Sequence, residues 1–216
     1  IKGQASVLGY FVHEKVKRFE ARPDKAVATP AFFLSYKPFH RQDLSVRAFY
    51  KRMFRMPTFN DLYYTDMGNA FLKPEYAEQF NIGLKYTKNF MNMPALRTVD
   101  ASVDAYYNHI TDKIIAYPKG QQFRWTMLNL GEVDIKGVDI ALNSAWAFGE
   151  VEATARLQYT YQEAIDVTDS ADTYYRDQIP YIPWHSGSAV LSLFYKGWGL
   201  NYSFIYTGER YNQQEN

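Results

Sequence analysis

"FRMPTFNDLYYTDMGNAFLKPEYAEQFNIGLKY", residues 54–86, starts as an irregular aromatic segment and ends in strict alternation. Phe80, Ile82, Leu84 and Tyr86 fall on one side of the second half, and Gln79, Asn81, Gly83 and Lys85 on the other. A period of two is that of a β-strand with one apolar and one polar face. The first half is punctuated by Pro57, Asn60, Asp61, Gly68 and Pro74, which mark turns and loops rather than a continued strand. A long aromatic loop therefore feeds directly into a two-faced strand.

The same alternation recurs on both sides. Strands are expected at 4–19, 29–36, 44–54, 75–88, 97–117, 123–147, 151–164, 184–195 and 200–208, about nine in all, with no helix. In 151–164, Val151, Ala153, Ala155, Leu157, Tyr159 and Tyr161 face one way, while Thr154, Arg156, Gln158, Thr160 and Gln162 face the other. Several of these runs exceed the roughly 9–11 residues of a tilted membrane-crossing strand, and all exceed the usual 5–6 of globular proteins. The connections alternate in length. "KPFHRQD", "NFMNMPAL", "FGE" and "KGWG" are short, while 20–28, 54–73, the "PKGQQ" region and 165–183 are longer. Such asymmetry is that of an up-and-down barrel with short turns on one side of a membrane and long loops on the other. Phe39, Phe90, Trp146, Phe148 and Trp198 lie at the short turns, and Tyr63, Tyr64, Trp125, Tyr174, Tyr175 and Trp184 toward the long loops, as two interfacial girdles would.

Composition agrees with this reading and narrows it. Of 216 residues, 18% are aromatic, and the net charge of +1 leaves no electrostatic footprint for nucleic acid. The chain has no cysteine, which removes disulfide frameworks and thiolate metal sites. No run approaches the roughly 18 apolar residues of a membrane helix. Mean hydropathy is −0.41, which a barrel tolerates because its strands alternate. The first residues, "IKGQASVLGY", have no signal-peptide pattern, and the chain stops at "YNQQEN"; both ends read as cuts within a longer protein.

Several motifs, in order, carry a resemblance. "FRMPTFNDLYY" and "GNAFLKPE" flank the loop; "YYNHITDKI", "NLGEVDIKGVDIALNSAW", "IPYIPWHSGSAVLSLFY" and "YTGERY" follow. Together they resemble the C-terminal half of the TonB-dependent outer-membrane receptors, in the vitamin B12 and iron–siderophore group. The resemblance implies an all-β, antiparallel up-and-down transmembrane β-barrel of 22 strands closed by a plug. Residues 1–216 would form a partial barrel domain, roughly strands eleven to nineteen. The plug, the first half of the barrel, the last strands and a signal peptide would lie elsewhere in the full protein.

On that resemblance the chain would belong to the cell outer membrane, in contact with its lipid, as part of an active importer and not an enzyme. Its partners would be a bulky cobalamin or metal-chelate ligand, held at extracellular loops, and TonB, reached through the missing N-terminal part. The loop residues expected to meet ligand are Phe59, Asn60, Asp61, Tyr63, Tyr64, Arg124, Trp125, Tyr174, Tyr175 and Arg176. The motif flanks carry a structural expectation instead: Arg55 pairs with Glu75 across the loop, and Pro57 and Pro74 hold their neighbours extended. Thr58–Gly68 contains no histidine, which disfavours haem, and the four scattered histidines, His40 and His185 among them, predict no protein-held metal. No cofactor is expected.

Other classes remain to be weighed. Asp100 and Asp104 share a strand face and resemble a carboxylate pair, although residues lining a wet lumen would look the same. A passive porin would share the alternation and the girdles but lack a plug. A soluble sugar-binding β-domain would have shorter strands and charged outer faces.

Overall fold

The computed structural model describes residues 1–15, 24–39, 43–64, 67–119 and 124–211. Within them lie β1 (Lys2–Val12), β2 (Lys25–Tyr36), β3 (Leu44–Arg55), α1 (Phe59–Tyr63), β4 (Glu75–Asn89), β5 (Leu96–Lys119), β6 (Arg124–Phe148), β7 (Val151–Asp166), β8 (His185–Tyr195) and β9 (Trp198–Thr207). Every strand pairs antiparallel with the next in sequence, giving one nine-stranded meander with β1 and β9 at its edges. Among the described residues no helix is long and apolar enough to cross a membrane.

The register explains the two faces. One rung across the sheet runs Lys2, Ser35, Arg47, Gly83, Asp104, Asp139, Thr160, Ser186 and Thr207, polar or glycine at every strand. The adjacent rung, on the other face, runs Val46, Leu84, Val103, Ile140 and Tyr159. Directly paired residues share a face, so alternation within each strand becomes a wet wall and an apolar wall in the sheet. Leu84, Val103, Ile140 and Tyr159 are exposed here, as lipid-facing side chains are. On β6 the outward series Val138, Ile140, Leu142, Ser144, Trp146 and Phe148 spans about 25 Å of membrane normal, at about 3.4 Å per residue and a tilt near 40°.

On the wet wall, Arg47 on β3 reaches Asp104 on β5 across β4, with Arg47 Nε donating to Asp104 Oδ1 at 3.1 Å and a second bond to Oδ2. Gly83 lies between them. A Cβ there would stand 2.1 Å from Asp104 Oδ1, so the two-strand reach exists only because that position has no side chain. The short turns are as tight as read: Gly149 and Gly197 take φ of 63° and 85°, the positive values that primed hairpin turns require.

Strand count, order and fold class agree with the sequence reading, while several boundaries move. β2 begins at Lys25 rather than 29, because Ala26–Ala28 continue the ladder against Gly9–Phe11. β1 ends at Val12. The turn expected at "KGWG" shrinks to Lys196–Gly197, with Trp198 already paired to Tyr195. One helix appears where none was expected. Thr58 caps it, accepting from the Asp61 amide while Asp61 accepts from the Thr58 amide, a capping box that supports a single turn too short for any periodicity to register. The basic run at 15–18, the turn around His40 and the "PKGQQ" loop lie wholly or partly outside the described residues, as does the side chain of Arg124.

Candidate ligand-binding mouth

The long loops gather at one end of the sheet, around the β5–β6 hairpin. That hairpin pairs as far as Lys119 and Arg124, whereas β4 leaves it at Tyr76–Thr111 and β7 at Val133–Asp166. It therefore projects beyond its neighbours, and loops 56–74 and 167–184 fold back against it.

Loop 56–74 is held from both of its flanks. Arg55 donates to Asp61 Oδ2 at 3.3 Å and to Glu75 Oε2 at 3.4 Å, so one guanidinium ties the exit of β3 to the helix and to the start of β4. Glu75 also accepts from the Ile114 amide at 3.0 Å. Farther in, Asn129 on β6 reads the backbone of Lys73. Its Oδ1 accepts from the Lys73 amide at 2.7 Å, and its Nδ2 donates to the Lys73 carbonyl at 3.1 Å and the Asp112 carbonyl at 2.7 Å. Asn69 donates to the Met127 carbonyl at 3.0 Å, and the Met127 amide donates to the Met67 carbonyl at 2.9 Å. Beneath these bonds Leu62 and Leu72 bury against Ile114, with Tyr63 and Met127 at the margin. Motifs some fifty residues apart in the chain, "GNAFLKPE" and "NLGEVD", thus build one joint.

What is left outside that joint is aromatic. Phe59 is 73% exposed, Tyr64 59% and Phe71 92%. An apolar ring of that size in water gains free energy when a ligand covers it, and a tethered loop loses little entropy when it does so.

Loop 167–184 turns inward over the wet wall. Ile179 is buried with Ala77, Ile110, Val133, Ile135 and Ala164, all on the wet-wall side of β4 to β7. Where β8 no longer borders β7, loop residues take its place. The Ile179 amide donates to Ala164, Asp166 to Asp177, and buried Gln178 accepts from the Ala164 amide while donating to Ile182. Thr168 accepts from the Glu132 amide at 2.9 Å, and a Cβ on the adjoining Gly131 would lie 2.3 Å from the Thr168 methyl. The acidic side chains shape turns: Asp169 accepts from the Ala171 amide and Asp172 from the Tyr174 amide. The Trp125 and Tyr181 rings lie 5.5 Å apart and tilted by 49°, and with Lys113, Ile115 and Ile179–Ile182 Trp125 lines a cavity of about 330 Å³.

The residues read from sequence therefore separate. Phe59, Asn60 and Tyr64 are exposed on loop 56–74, whereas Asp61 is engaged by Thr58 and Arg55, and half-buried Tyr63 donates to Glu14 at 3.0 Å. On the second loop Tyr175 and Arg176 are exposed, Tyr174 is half-buried, and Arg176 adopts φ 71°. Two aromatic residues of the mouth escaped the sequence reading. Phe71 sits inside "GNAFLKPE", whose prolines and charges read as a loop flank, and Tyr181 lies in the proline-bounded "IPYIP". Asp100 and Asp104 are committed elsewhere: Asp100 accepts from Thr87 at 2.8 Å and pairs with Lys85 at 3.0 Å, and Asp104 holds Arg47. The pair belongs to the ladder of a wet wall.

Comparison with known proteins agrees with this architecture. Residues 9–216 match the family described as TonB dependent receptor-like, beta-barrel. A vitamin B12 transporter, BtuB, of Photobacterium profundum is 29% identical over 170 residues, covering 76% of this chain and 24% of that protein. BtuB of Vibrio vulnificus is 36% identical over 87 residues, 40% of this chain and 13% of that protein. The chain thus spans about a quarter or less of the relatives it matches. Among solved structures, the copper transporter OprC superposes with a TM-score of 0.58 at 18% identity, over 86% of this chain and 27% of that one, a likeness of fold.

Proposed function

The chain belongs to the TonB-dependent receptor β-barrels of the outer membrane, a family of transporters and receptors rather than enzymes, and from that premise we propose that it forms part of an importer of a bulky nutrient. The ligand is a cobalamin or an iron–siderophore complex, gripped at the outer mouth. Uptake is driven by TonB through a segment outside residues 1–216, which make up a partial barrel domain. One observation carries the reading. Loop 56–74 is fastened by Arg55, Asn129 and Asn69 while Phe59, Tyr64 and Phe71 stay open to solvent. A rigid frame presenting exposed rings, Phe59 propped on Tyr63 at 5.0 Å between centroids, suits a large, flat, partly apolar ligand. Two similar proteins named as vitamin B12 transporters favour cobalamin as the first ligand to test.

The test is uptake by cells carrying the full-length receptor, with labelled cyanocobalamin and ferric siderophores, in the presence and absence of TonB. Accumulation that needs both the receptor and TonB, and that falls when Phe59, Tyr64 and Phe71 are replaced together by Ala, supports the proposal. Entry that persists without TonB and scales with solute size identifies a passive barrel instead.

A further inference from the structure

Segment 176–181 of the second long loop is held at both ends in a conformation that its side chains disfavour. Arg176 has φ 71° and Tyr181 φ 66°, in the left-handed region that bulky residues rarely adopt. Between them Gln178 and Ile179 are each 2% exposed, and the Tyr181 amide donates to the Tyr211 carbonyl at 2.8 Å. Glycine meets such a φ without steric cost, so the backbone turn alone does not call for a tyrosine at 181. Nor does the core, since Tyr181 stays 39% exposed and is not part of the cluster around Ile179. Its ring instead meets Trp125 at the wall of the cavity beside the β5–β6 hairpin. Strained residues fixed by their surroundings cluster at ligand clamps and switches.

The size and lining of that cavity narrow what the two rings would hold. Its volume, about 330 Å³, is near the lower end of the roughly 300–1,000 Å³ of small-molecule sites, which is room for one arm of a bulky ligand rather than the whole of it. Ile115, Ile179 and Ile182 give it apolar walls, and Trp125 with Tyr181 forms a corner in which a third ring meets a face or an edge. Lys113 is the only charged residue of the lining. Its ammonium, on a side chain 19% exposed, lies 3.9 Å from Glu75 Oε1, too far for a hydrogen bond, while Glu75 Oε2 accepts from Arg55 and from the Ile114 amide. An anionic oxygen on the occupant would be a closer partner than Glu75. On the reading of this end as a ligand mouth, from which the inference proceeds, we propose that the cavity seats a flat aromatic arm of the ligand, laid against Trp125 and Tyr181 with an anionic oxygen on Lys113. A cobalamin offers its benzimidazole nucleotide, whose phosphodiester is the anion, and a siderophore offers a catecholate.

The experiment titrates the full-length receptor with two ligand pairs: cyanocobalamin and cobinamide, which lacks the nucleotide arm, and a ferric tricatecholate and a ferric trihydroxamate. Wild type is expected to prefer the ring-bearing member of one pair, and that pair identifies the source of the arm. The preference should fall roughly tenfold in W125A, as for one lost ring stack, and roughly fivefold in K113Q, as for one lost bond to a charged group. W125F should stay close to wild type. Y181G removes the ring while relieving the backbone, so it should lose preference with a urea midpoint no lower than wild type. Heat-modifiable mobility on gels reports whether each variant is a folded barrel, and should W125A not fold, K113Q reads the loss alone. No preference in wild type, equal weakening of both members of a pair, unchanged preference in W125A and K113Q, or a marked fall in the Y181G midpoint would each overturn the seat while leaving the ligand mouth in place. If wild type binds none of the four compounds, the ligand mouth is refuted and the seat with it.

Discussion

Replacing Asn129 by Ala removes three hydrogen bonds at once, those to the Lys73 amide, the Lys73 carbonyl and the Asp112 carbonyl. Each is worth about 1 kcal/mol net, because the freed groups regain water at this half-exposed site. The sum, about 2–4 kcal/mol, falls on the attachment of loop 56–74 and not on the barrel, whose strands pair through the ladder on either side. A local opening equilibrium should then shift by about 30- to 1,000-fold. Hydrogen exchange on the full-length receptor reads this directly. The amides of Gly68, Asn69, Leu72 and Met127, now bonded to Tyr64, Asp61, Asn69 and Met67, should exchange that much faster, with those of β3 and β4 unchanged. Ligand affinity should fall with them, since Phe71 would lose its fixed position. Asn129→Asp tests the donors alone, because it keeps an acceptor for the Lys73 amide but loses both carbonyl bonds. Unchanged exchange over 67–72 in N129A would refute the claim that Asn129 fastens this loop.

Three further outcomes follow from the same geometry. Leu142→Arg, outward and near mid-band, should cost about 2–4 kcal/mol in reversible urea folding into vesicles, whereas Ala141→Arg, one residue away and facing the lumen, should cost far less; equal costs would mean the faces are misassigned. Gly83→Ala drives a Cβ into the Arg47–Asp104 pair and should destabilise by about 1–3 kcal/mol, with much of that loss recovered when Asp104 is also made Ala, checked by a double-mutant cycle in the same folding assay. Phe71→Ala, at a fully exposed ring, should leave stability within about 0.5 kcal/mol while weakening ligand binding measured by titration; tight binding retained by F71A together with F59A would exclude these rings from the site.

The strands were legible because their information is local. Alternation in 75–89 or 151–166 needs only the side chains of that run, and the paired strand ends fall within a few residues of where the alternation stops. The Arg55–Glu75 contact was legible too, since adjacent antiparallel strands bring the two flanks of a loop together. The one-turn helix was not, although Thr58 and Asp61 spell its cap, because five residues carry no helical period.

By itself, the sequence determined the nine strands, their up-and-down order, the wet and apolar walls, and which connections are long. All follow from period and spacing along one chain. Only the tertiary structure decided which loop residues are committed and which are free. That Asp61 is consumed by Thr58 and Arg55, that Asn129 grips Lys73, and that Phe71 is left open depends on contacts between segments up to 56 residues apart. It also decided that Gly83 is a gap for Arg47 and Asp104, 57 residues from one another. Register and hairpin length set those meetings, and no stretch of sequence contains both partners.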